Sequence, residues 1–412
     1  MITYKNHTLV NGLTVVVNRD RSSKLAAVNL LYKVGARNEN PSRTGFAHLF
    51  EHLMFRGTHE VPDFDTPVQM AAGENNAFTN NDYTDFYMTL PKDNVETALW
   101  LESDRMTGLD ISEENLAIEK RVVIEEYKQR YLNQPYGDMQ MLLRALAYRV
   151  HPYRWATIGL APEHIAEASL EEVRAFYHRY YHPSNAILSI SADIEEERMI
   201  DLAEKWFAQI EDSPRPAVEI PQEPPQTEAR RQEIERDVPA TAITKAYHMG
   251  SRTSSDFFLG DLTTDLLAGG ESSRLYQHLV KEQKLFANVN AYVSGELDPG
   301  LFVLTGQLLP GTTVDEAEEA MQREIDRLQT EKAEPQELEK IKNKFEANTL
   351  FGEINVMNKA MNLGFYQMLG DLPLINREVE IYRSHTPEQV VEFCRRTLRP
   401  ENCSTLIYRA RK

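Results

Sequence analysis

The chain has 412 residues, 42% of them hydrophobic, and a formal net charge of −18. This length predicts two or more domains with ordinary cores, and the charge argues against partners such as nucleic acid or an anionic membrane surface. No apolar run approaches the roughly 20 residues that span a bilayer, and the first residues lack an apolar signal core, so we expect a cytoplasmic protein unless a leader has been removed. Cys394 and Cys403 are too few for a disulfide framework and are predicted to be structural.

The first chemical motif is the run His48-Leu49-Phe50-Glu51-His52, in a segment with helical character. Positions i and i+4 lie one above the other on a helix, so His48 and His52 can present two imidazoles to one point, which is half of a zinc site. Glu51 projects toward the same side and is placed as a base rather than as a ligand. The alternative is a helix with two ordinary, partly buried histidines, because the surrounding residues are apolar.

A third zinc ligand is expected elsewhere in the chain, because a catalytic zinc normally has three protein ligands. The best source is the helical stretch 119–130, where Glu119 and Glu126 share a face and Glu125 points about 100° away. We take Glu126 as the third ligand and Glu119 as a carboxylate that orients a ligating histidine or holds a proton. A charged, solvent-facing helix would have the same composition.

The chain repeats one pattern at a constant offset of 217 residues. Residues 169–185 hold Ser-x-Glu-x-Val-x-x-Phe followed by Pro and Asn, and residues 386–402 hold Thr-x-Glu-x-Val-x-x-Phe with the same later spacing. Each copy predicts a helix that is N-capped by Ser or Thr, with a carboxylate two residues on. A Pro-x-Asn turn and an apolar strand, such as 186–190, should follow each helix.

The repeat predicts an α+β fold of two similar domains, 1–211 and 229–412, related by internal duplication. A proline-rich segment, 212–228, is the predicted linker. Each domain should be a mainly antiparallel β-sheet flanked by helices. Short apolar or alternating runs at 13–17, 86–90 and 301–304 predict strands, and a long polar stretch at 314–331 predicts a helix that covers them.

The sequence resembles the M16 peptidases, which include the mitochondrial processing peptidases, pitrilysin and insulin-degrading enzyme. The H-x-x-E-H run is the inverted zinc motif, and the similarity extends on both sides of it. The matching segments are 9–15, 34–37, 45–58, 76–79, 119–126, 151–153 and 158–159. The resemblance implies a peptidase with one zinc ion per chain, held by His48, His52 and Glu126, with Glu51 as general base.

The resemblance also implies a substrate-binding edge strand at Asn76 and Ala77. Strand addition of this kind contacts the substrate backbone, so it selects extended peptides more than particular side chains. The alternative for this segment is plain turn chemistry, because 73–76 and 80–82 are rich in turn residues.

The second half lacks the H-x-x-E-H run and departs from the family at another landmark. In the family, the segment matching Ser272 to Gln277 leads into an arginine and, seven residues later, a tyrosine that bind substrate and steady the oxyanion. Here those positions hold Val280 and Ala287, and Lys281 lies one position off. Loss of one oxyanion donor typically costs about 100- to 1,000-fold in rate, so the chain alone should be nearly inert.

Some short members of the family divide these residues between two chains. We therefore expect the zinc-bearing subunit of a heterodimer with a homologous partner, or otherwise a homodimer. The competing hypothesis is a non-catalytic structural or peptide-holding subunit. The changes at Val280 and Ala287 favour it, whereas the intact zinc set opposes it, because a structural protein has no need for those residues.

Overall fold

The computed structural model describes residues 1–214 and 218–411, so part of the predicted linker 212–228 lies outside the described residues. The strands are β1 Lys5–Thr8, β2 Thr14–Arg19, β3 Leu25–Tyr32, β4 Glu74–Thr79, β5 Thr84–Pro91, β6 Ala186–Ala192, β7 Arg230–Arg236, β8 Ala242–His248, β9 Phe286–Val293, β10 Leu301–Leu308 and β11 Cys403–Ala410. The helices are α1 Phe46–Leu53, α2 Asp65–Met70, α3 Val95–Gly108, α4 Glu113–Tyr127, α5 Met139–Ala147, α6 Pro162–Ala166, α7 Leu170–Tyr180, α8 Glu196–Phe207, α9 Ser255–Ala268, α10 Val314–Thr330, α11 Pro335–Gly352, α12 Val356–Met368, α13 Glu378–Ser384 and α14 Pro387–Thr397. These bounds agree with the strands and the long helix predicted from hydrophobic periodicity.

The first compact unit comprises residues 1–128, 155–220 and 350–377. Its six-stranded sheet has the order β1-β2-β6-β3-β5-β4, in which β2 and β6 are parallel and the other neighbours are antiparallel. Strand β6 is buried along its whole length, as expected for a central strand covered on both faces. Strand β4 forms one edge of the sheet.

Helix α12 packs closely against β3 and β6 of this sheet. The close approach depends on Gly364, because a Cβ there would lie 3.1 Å from both Nδ2 of Asn29 and Oγ of Ser189. Helix α1 packs against β4 and β5 of the same sheet and against α4. The unit therefore fixes α1 between a sheet edge and a second helix.

The second compact unit comprises residues 129–154, 221–349 and 378 to the C-terminus. Its five-stranded sheet has the order β7-β11-β8-β10-β9, with β7 and β11 parallel and the other neighbours antiparallel. Helix α5 packs on β7, β8 and β11, and Nε2 of His248 on β8 bonds the carbonyl of Ala147 at the end of α5 (2.9 Å).

The two units confirm the predicted α+β fold with two mainly antiparallel sheets flanked by helices. Each unit is discontinuous in sequence, because α5 from the first half packs on the second sheet and α12 from the second half packs on the first sheet. The domain boundaries inferred from the sequence repeat, 1–211 and 229–412, stay a prediction.

The repeated segments have the same structure in both units. Helices α7 and α14 begin with N-caps at Ser169 and Thr386, and a single turn of 3₁₀-helix then leads into β6 or β11. The capping partners are Glu172 and Gln389, which lie three residues after each cap. The capping box requires this spacing, because the third helical residue reaches back to the backbone N–H of the cap.

Two expectations from composition also bear on the structure. Cys394 and Cys403 are buried free thiols, and burial raises the pKa of Cys394 to about 12, which fits a structural role. None of the helices within residues 1–214 and 218–411 is both long and apolar enough to cross a membrane.

Candidate metal centre

The H-x-x-E-H run lies on α1, an eight-residue helix of the first unit. The rings of His48 and His52 face each other edge to face, with centroids 4.9 Å apart and an interplanar angle of 82°. This is the arrangement that i, i+4 spacing gives on one helical face. The two side chains are largely buried, with 11% and 23% of their surfaces exposed.

Helix α4 brings Glu126 to the two histidines. Oε2 of Glu126 lies 3.3 Å from Nε2 of His48 and 3.3 Å from Nε2 of His52. Among the described residues, these three side chains form a group whose ligand atoms all lie within 4.8 Å of one another. Neighbouring ligand atoms of a tetrahedral zinc with bonds of about 2.0–2.1 Å are separated by roughly 3.3–3.4 Å, so the donor set and its spacing both fit zinc.

Glu51 lies beside the ligand group, with Oε2 at 3.3 Å from Nδ1 of His48. Burial raises the pKa of its carboxyl, but hydrogen bonds with His48 and Thr79 outweigh this effect and keep the pKa below its ordinary value. The group is therefore a carboxylate at neutral pH and can accept a proton.

A second carboxylate of α4 contacts the other histidine. Oε2 of Glu119 lies 3.3 Å from Nδ1 of His52, and Oε1 of Glu119 accepts a hydrogen bond from Arg56. Glu125 is exposed and pairs with Lys128 (2.6 Å). Glu119 is thus placed to hold the Nδ1–H of His52, which leaves Nε2 toward Glu126.

Sequence reasoning did not predict the role of Arg56. Its four-residue distance from His52 is not a helical signal, because α1 ends at Leu53 and Arg56 lies in the segment after it. The partner of Arg56 could not be deduced, because Glu119 reaches it only through the packing of α1 against α4.

The charges around the histidines shift their titration upward. Burial lowers the pKa of His52, but the hydrogen bonds with Glu119 and Glu126 outweigh it and raise the pKa to about 9. Burial likewise lowers the pKa of His48, but its hydrogen bonds with Glu126 and Glu51 outweigh this effect and raise the pKa above its ordinary value. A metal must displace these protons, because imidazole coordinates in its neutral form.

Asn76 and Ala77 lie in the edge strand β4, not in a turn. The N–H of Ala77 donates to Oδ1 of Asn76 (2.8 Å), so a side chain of the strand itself covers this backbone donor. The strand ends at Thr79, which hydrogen-bonds Glu51. The edge strand and the predicted base are therefore in direct contact.

The second unit contains Val280 and Ala287, the positions that depart from the family. Residues Tyr276–Glu282 wind as a π-helix, in which Val280 is half-buried and Lys281 is exposed. Ala287 is an exposed residue of the edge strand β9. Lys284, between them, has a φ of 54°, a left-handed conformation that is uncommon for a residue other than glycine.

The H-x-x-E-H run on α1 is the motif of the inverted-motif zinc peptidases. The family model described as "Insulinase (Peptidase family M16)" matches residues 14–159, and the one described as "Peptidase M16 inactive domain" matches residues 167–345. The chain is 30% identical over 328 residues to the zinc protease PqqE of Helicobacter pylori, covering 78% of this chain and 73% of that protein. The chain therefore belongs to the M16 peptidase family, as the sequence resemblance predicted.

Other relatives agree with this assignment. The chain is 23% identical over 307 residues to a probable mitochondrial-processing peptidase subunit beta of Arabidopsis thaliana, covering 72% of this chain and 57% of that protein. The crystal structure of a protease from Helicobacter pylori superposes with a TM-score of 0.93 at 25% identity, covering 99% of this chain and all of that one. The two-domain size of the chain is thus that of this Helicobacter pylori protease.

Proposed function

We propose that this chain is a zinc-dependent metalloendopeptidase subunit that hydrolyses peptides. The proposal rests on the convergence of three donor groups, from His48, His52 and Glu126, whose ligand atoms all lie within 4.8 Å of one another. The two separations between Glu126 and the histidines, 3.3 Å each, match the edge of a zinc tetrahedron. These residues would hold one zinc ion. When bound, zinc would supply Lewis acidity, polarising a water molecule and the carbonyl of the scissile bond.

Proton transfer is the role of Glu51. Its low pKa makes it a carboxylate, and its place beside His48 puts it next to the ligand group. It would take the proton of the attacking water and deliver it to the leaving amine. Glu119, held by Arg56, would keep the Nδ1–H of His52 bound and its Nε2 available as a ligand.

Peptide binding would use the open edge of β4. An extended substrate that adds a strand there would take over the Ala77 N–H, which Asn76 covers in the structure. Because the contact is with backbone groups, we expect extended or unfolded segments to be favoured over compact proteins. The strand ends beside Glu51, so a peptide on this edge would pass the predicted base.

A homologous partner chain would supply the arginine and tyrosine that Val280 and Ala287 do not provide, giving a heterodimer; a homodimer is the alternative assembly. The Arabidopsis relative is named as one subunit of a processing peptidase, which supports such a division. The cytoplasmic location predicted from the sequence stays a prediction.

The test is Glu51→Gln, assayed with a quenched fluorescent peptide library in the presence and absence of the candidate partner. We expect zinc content near one per chain in wild type and variant alike, and loss of hydrolysis by on the order of 1,000-fold, because only the base is removed. Glu60→Gln, at an exposed site of the same unit, is the matched control and should keep wild-type activity. Hydrolysis retained by Glu51→Gln would rule out this role for Glu51.

A second candidate function is a non-catalytic, peptide-holding subunit. The residues Val280 and Ala287 favour it, and so does the match of the second half to a domain described as inactive. Such a subunit should purify without stoichiometric zinc and should bind extended peptides without cleaving them, alone or with its partner. Zinc content and cleavage in the mixture therefore separate the two functions.

A further inference from the structure

Glu39 binds the N-terminus of α1, the helix that carries both histidines and Glu51. Its side chain is buried, with the residue only 5% exposed. Oε2 accepts the N–H of Gly45 (2.9 Å) and Oε1 accepts the N–H of Ala47 (2.9 Å). One carboxyl group therefore accepts from two backbone donors that lie within three residues of His48.

Helix α1 needs this acceptor because its own cap residue cannot supply one. The cap is Gly45, with a φ of 92°, and a Cβ there would lie 2.7 Å from the carbonyl oxygen of Ile158. A side chain is thus excluded at the position that normally accepts the first-turn N–H groups. Other helices are capped by their own preceding residue, as α4, α7, α10 and α14 are by Ser112, Ser169, Thr313 and Thr386.

The backbone that carries Glu39 is itself held in place. It follows a 3₁₀ turn, Ala36–Asn38, whose carbonyls accept hydrogen bonds from two buried aromatic residues. Nε1 of Trp155 donates to the carbonyl of Ala36 and the hydroxyl of Tyr180 donates to that of Asn38, each at 3.0 Å. Glu39 is therefore a fixed point against which α1 is positioned.

We propose that Glu39 is a positioning residue for the metal centre, which sets the rotation and height of α1 so that His48 meets Glu126. The inference rests on the proposed zinc site. Helix α1 has only eight residues, so a shift of its first turn changes the 3.3 Å separation between Nε2 of His48 and Oε2 of Glu126. Packing alone would not fix this separation as closely, because a helix end without an acceptor can unwind by a turn.

The test compares metal binding by wild type and Glu39→Gln. Glutamine keeps the shape of the side chain but turns an amide NH₂ toward one of the two N–H donors, so one hydrogen bond is lost. We expect zinc affinity, measured by competition with a chromophoric chelator, to fall about tenfold, as for other groups that orient a ligand. The visible absorption of the cobalt-substituted variant should also differ from wild type, because it reports ligand geometry.

The matched control is Thr386→Ala, which removes a helix cap in the second unit. Thr386→Ala should lower the free energy of unfolding by about as much as Glu39→Gln does. Its zinc affinity and cobalt spectrum should stay at wild-type values. A Glu39→Gln protein with wild-type affinity and spectrum would overturn the positioning role and leave the proposed function intact. A wild-type chain that binds no zinc would overturn both, whereas tight zinc binding without hydrolysis even in the presence of the partner chain would overturn only the catalytic proposal.

A measurement on the wild-type chain covers the case in which Glu39→Gln does not fold. If the Glu39 contacts and the metal ligands are coupled, zinc must in turn stabilise those contacts. Hydrogen exchange at the amides of Gly45 and Ala47 should therefore slow by about tenfold when zinc is added, in proportion to the coupling. Unchanged exchange at both amides would overturn the inference.

Discussion

The two units place corresponding helices in the same order along the chain, but these helices present different ionisable side chains. In the first unit α1 follows β3, precedes β4 and packs against α4; in the second unit α9 follows β8, precedes β9 and lies beside α11. Helix α1 presents two imidazoles at i and i+4, and α9 presents Asp261 and Asp265 at the same spacing. Helix α4 places Glu126 beside the two imidazoles of α1, and α11 places Lys344 beside the carboxylates of α9. Nζ of Lys344 donates hydrogen bonds to both carboxylate oxygens of Asp265, at 2.9 and 3.1 Å.

The second unit thus carries its own cation, the Lys344 ammonium, on the helix that corresponds to α4, from which Glu126 is proposed to hold a metal in the first unit. The Lys344 ammonium neutralises Asp265, and Asp261 accepts the hydroxyl of Tyr382 (2.7 Å). Burial, together with the charges of Asp265 and Glu378, raises the pKa of Asp261, which is the opposite of the low pKa of Glu51. The same scaffold therefore holds either a metal-type donor set or a closed ion pair, and a few side chains decide which.

The largest effect should come from removing one donor of the first unit. Glu126→Gln replaces an anionic ligand by a neutral amide, so we expect loss of stoichiometric zinc and a fall in peptide hydrolysis on the order of 1,000-fold. Zinc analysis and peptide turnover measure the two effects. Glu125→Gln, the exposed neighbour on α4, is the control, and equal behaviour of the two variants would contradict the assignment of Glu126.

Acidity should weaken metal binding at the first site. The pKa of His52 is about 9 in the metal-free fold, above its ordinary value of 6.5, so its ion pairs stabilise that fold fully below pH 6.5 and are lost as the pH rises through 9. Zinc must displace this proton, so apparent zinc affinity should fall roughly tenfold per pH unit below 9 for the proton released at His52. Chelator competition between pH 6 and 9 measures it, and a flat profile would show that the pairing with Glu119 and Glu126 does not hold a proton on His52.

Arg56 offers a smaller change at the same site. Arg56→Met keeps the length of the side chain but frees Glu119 to move away from His52, so we expect about tenfold weaker zinc binding. The control is Arg121→Met, an exposed arginine on α4. If both variants bind zinc as wild type does, the contact between Arg56 and Glu119 has no part in orienting the ligand.

The smallest effect should come from the ion pair of the second unit. The side chains of Lys344 and Asp265 are 47% and 31% exposed, so Lys344→Met should cost less than about 1 kcal/mol of unfolding free energy. Zinc content and turnover should not change. Urea unfolding measures the first quantity, and a loss of zinc would contradict the separation drawn between the two units.

Sequence patterns predicted the features that depend on local periodicity. The i, i+4 spacing of His48 and His52 and the seven-residue spacing of Glu119 and Glu126 each predict a shared helical face, and both helices form. The 217-residue repeat predicted two similar α+β domains, because each copy preserves its own local signals for helix caps and strands.

Contacts between distant segments could not be predicted in this way. Glu39 carries no local signal, since its partners are backbone N–H groups six and eight residues further along the chain. Sequence patterns also did not predict that α5, from the first half of the chain, packs on the second sheet, or that α12, from the second half, packs on the first. A repeat shows which segments are alike, but not which sheet each one covers.

The most direct test is X-ray absorption at the zinc edge of the purified, zinc-loaded chain. We expect one zinc per chain with two imidazole nitrogens and carboxylate oxygen at about 2.0–2.2 Å. The imidazole signal should be reduced in His48→Ala and in His52→Ala, because each variant keeps one ligating imidazole. It should be unchanged in His278→Ala, which replaces a histidine of the second unit that pairs with Glu324. Absence of stoichiometric zinc, or a coordination shell unchanged when His48 and His52 are replaced, would contradict this expectation.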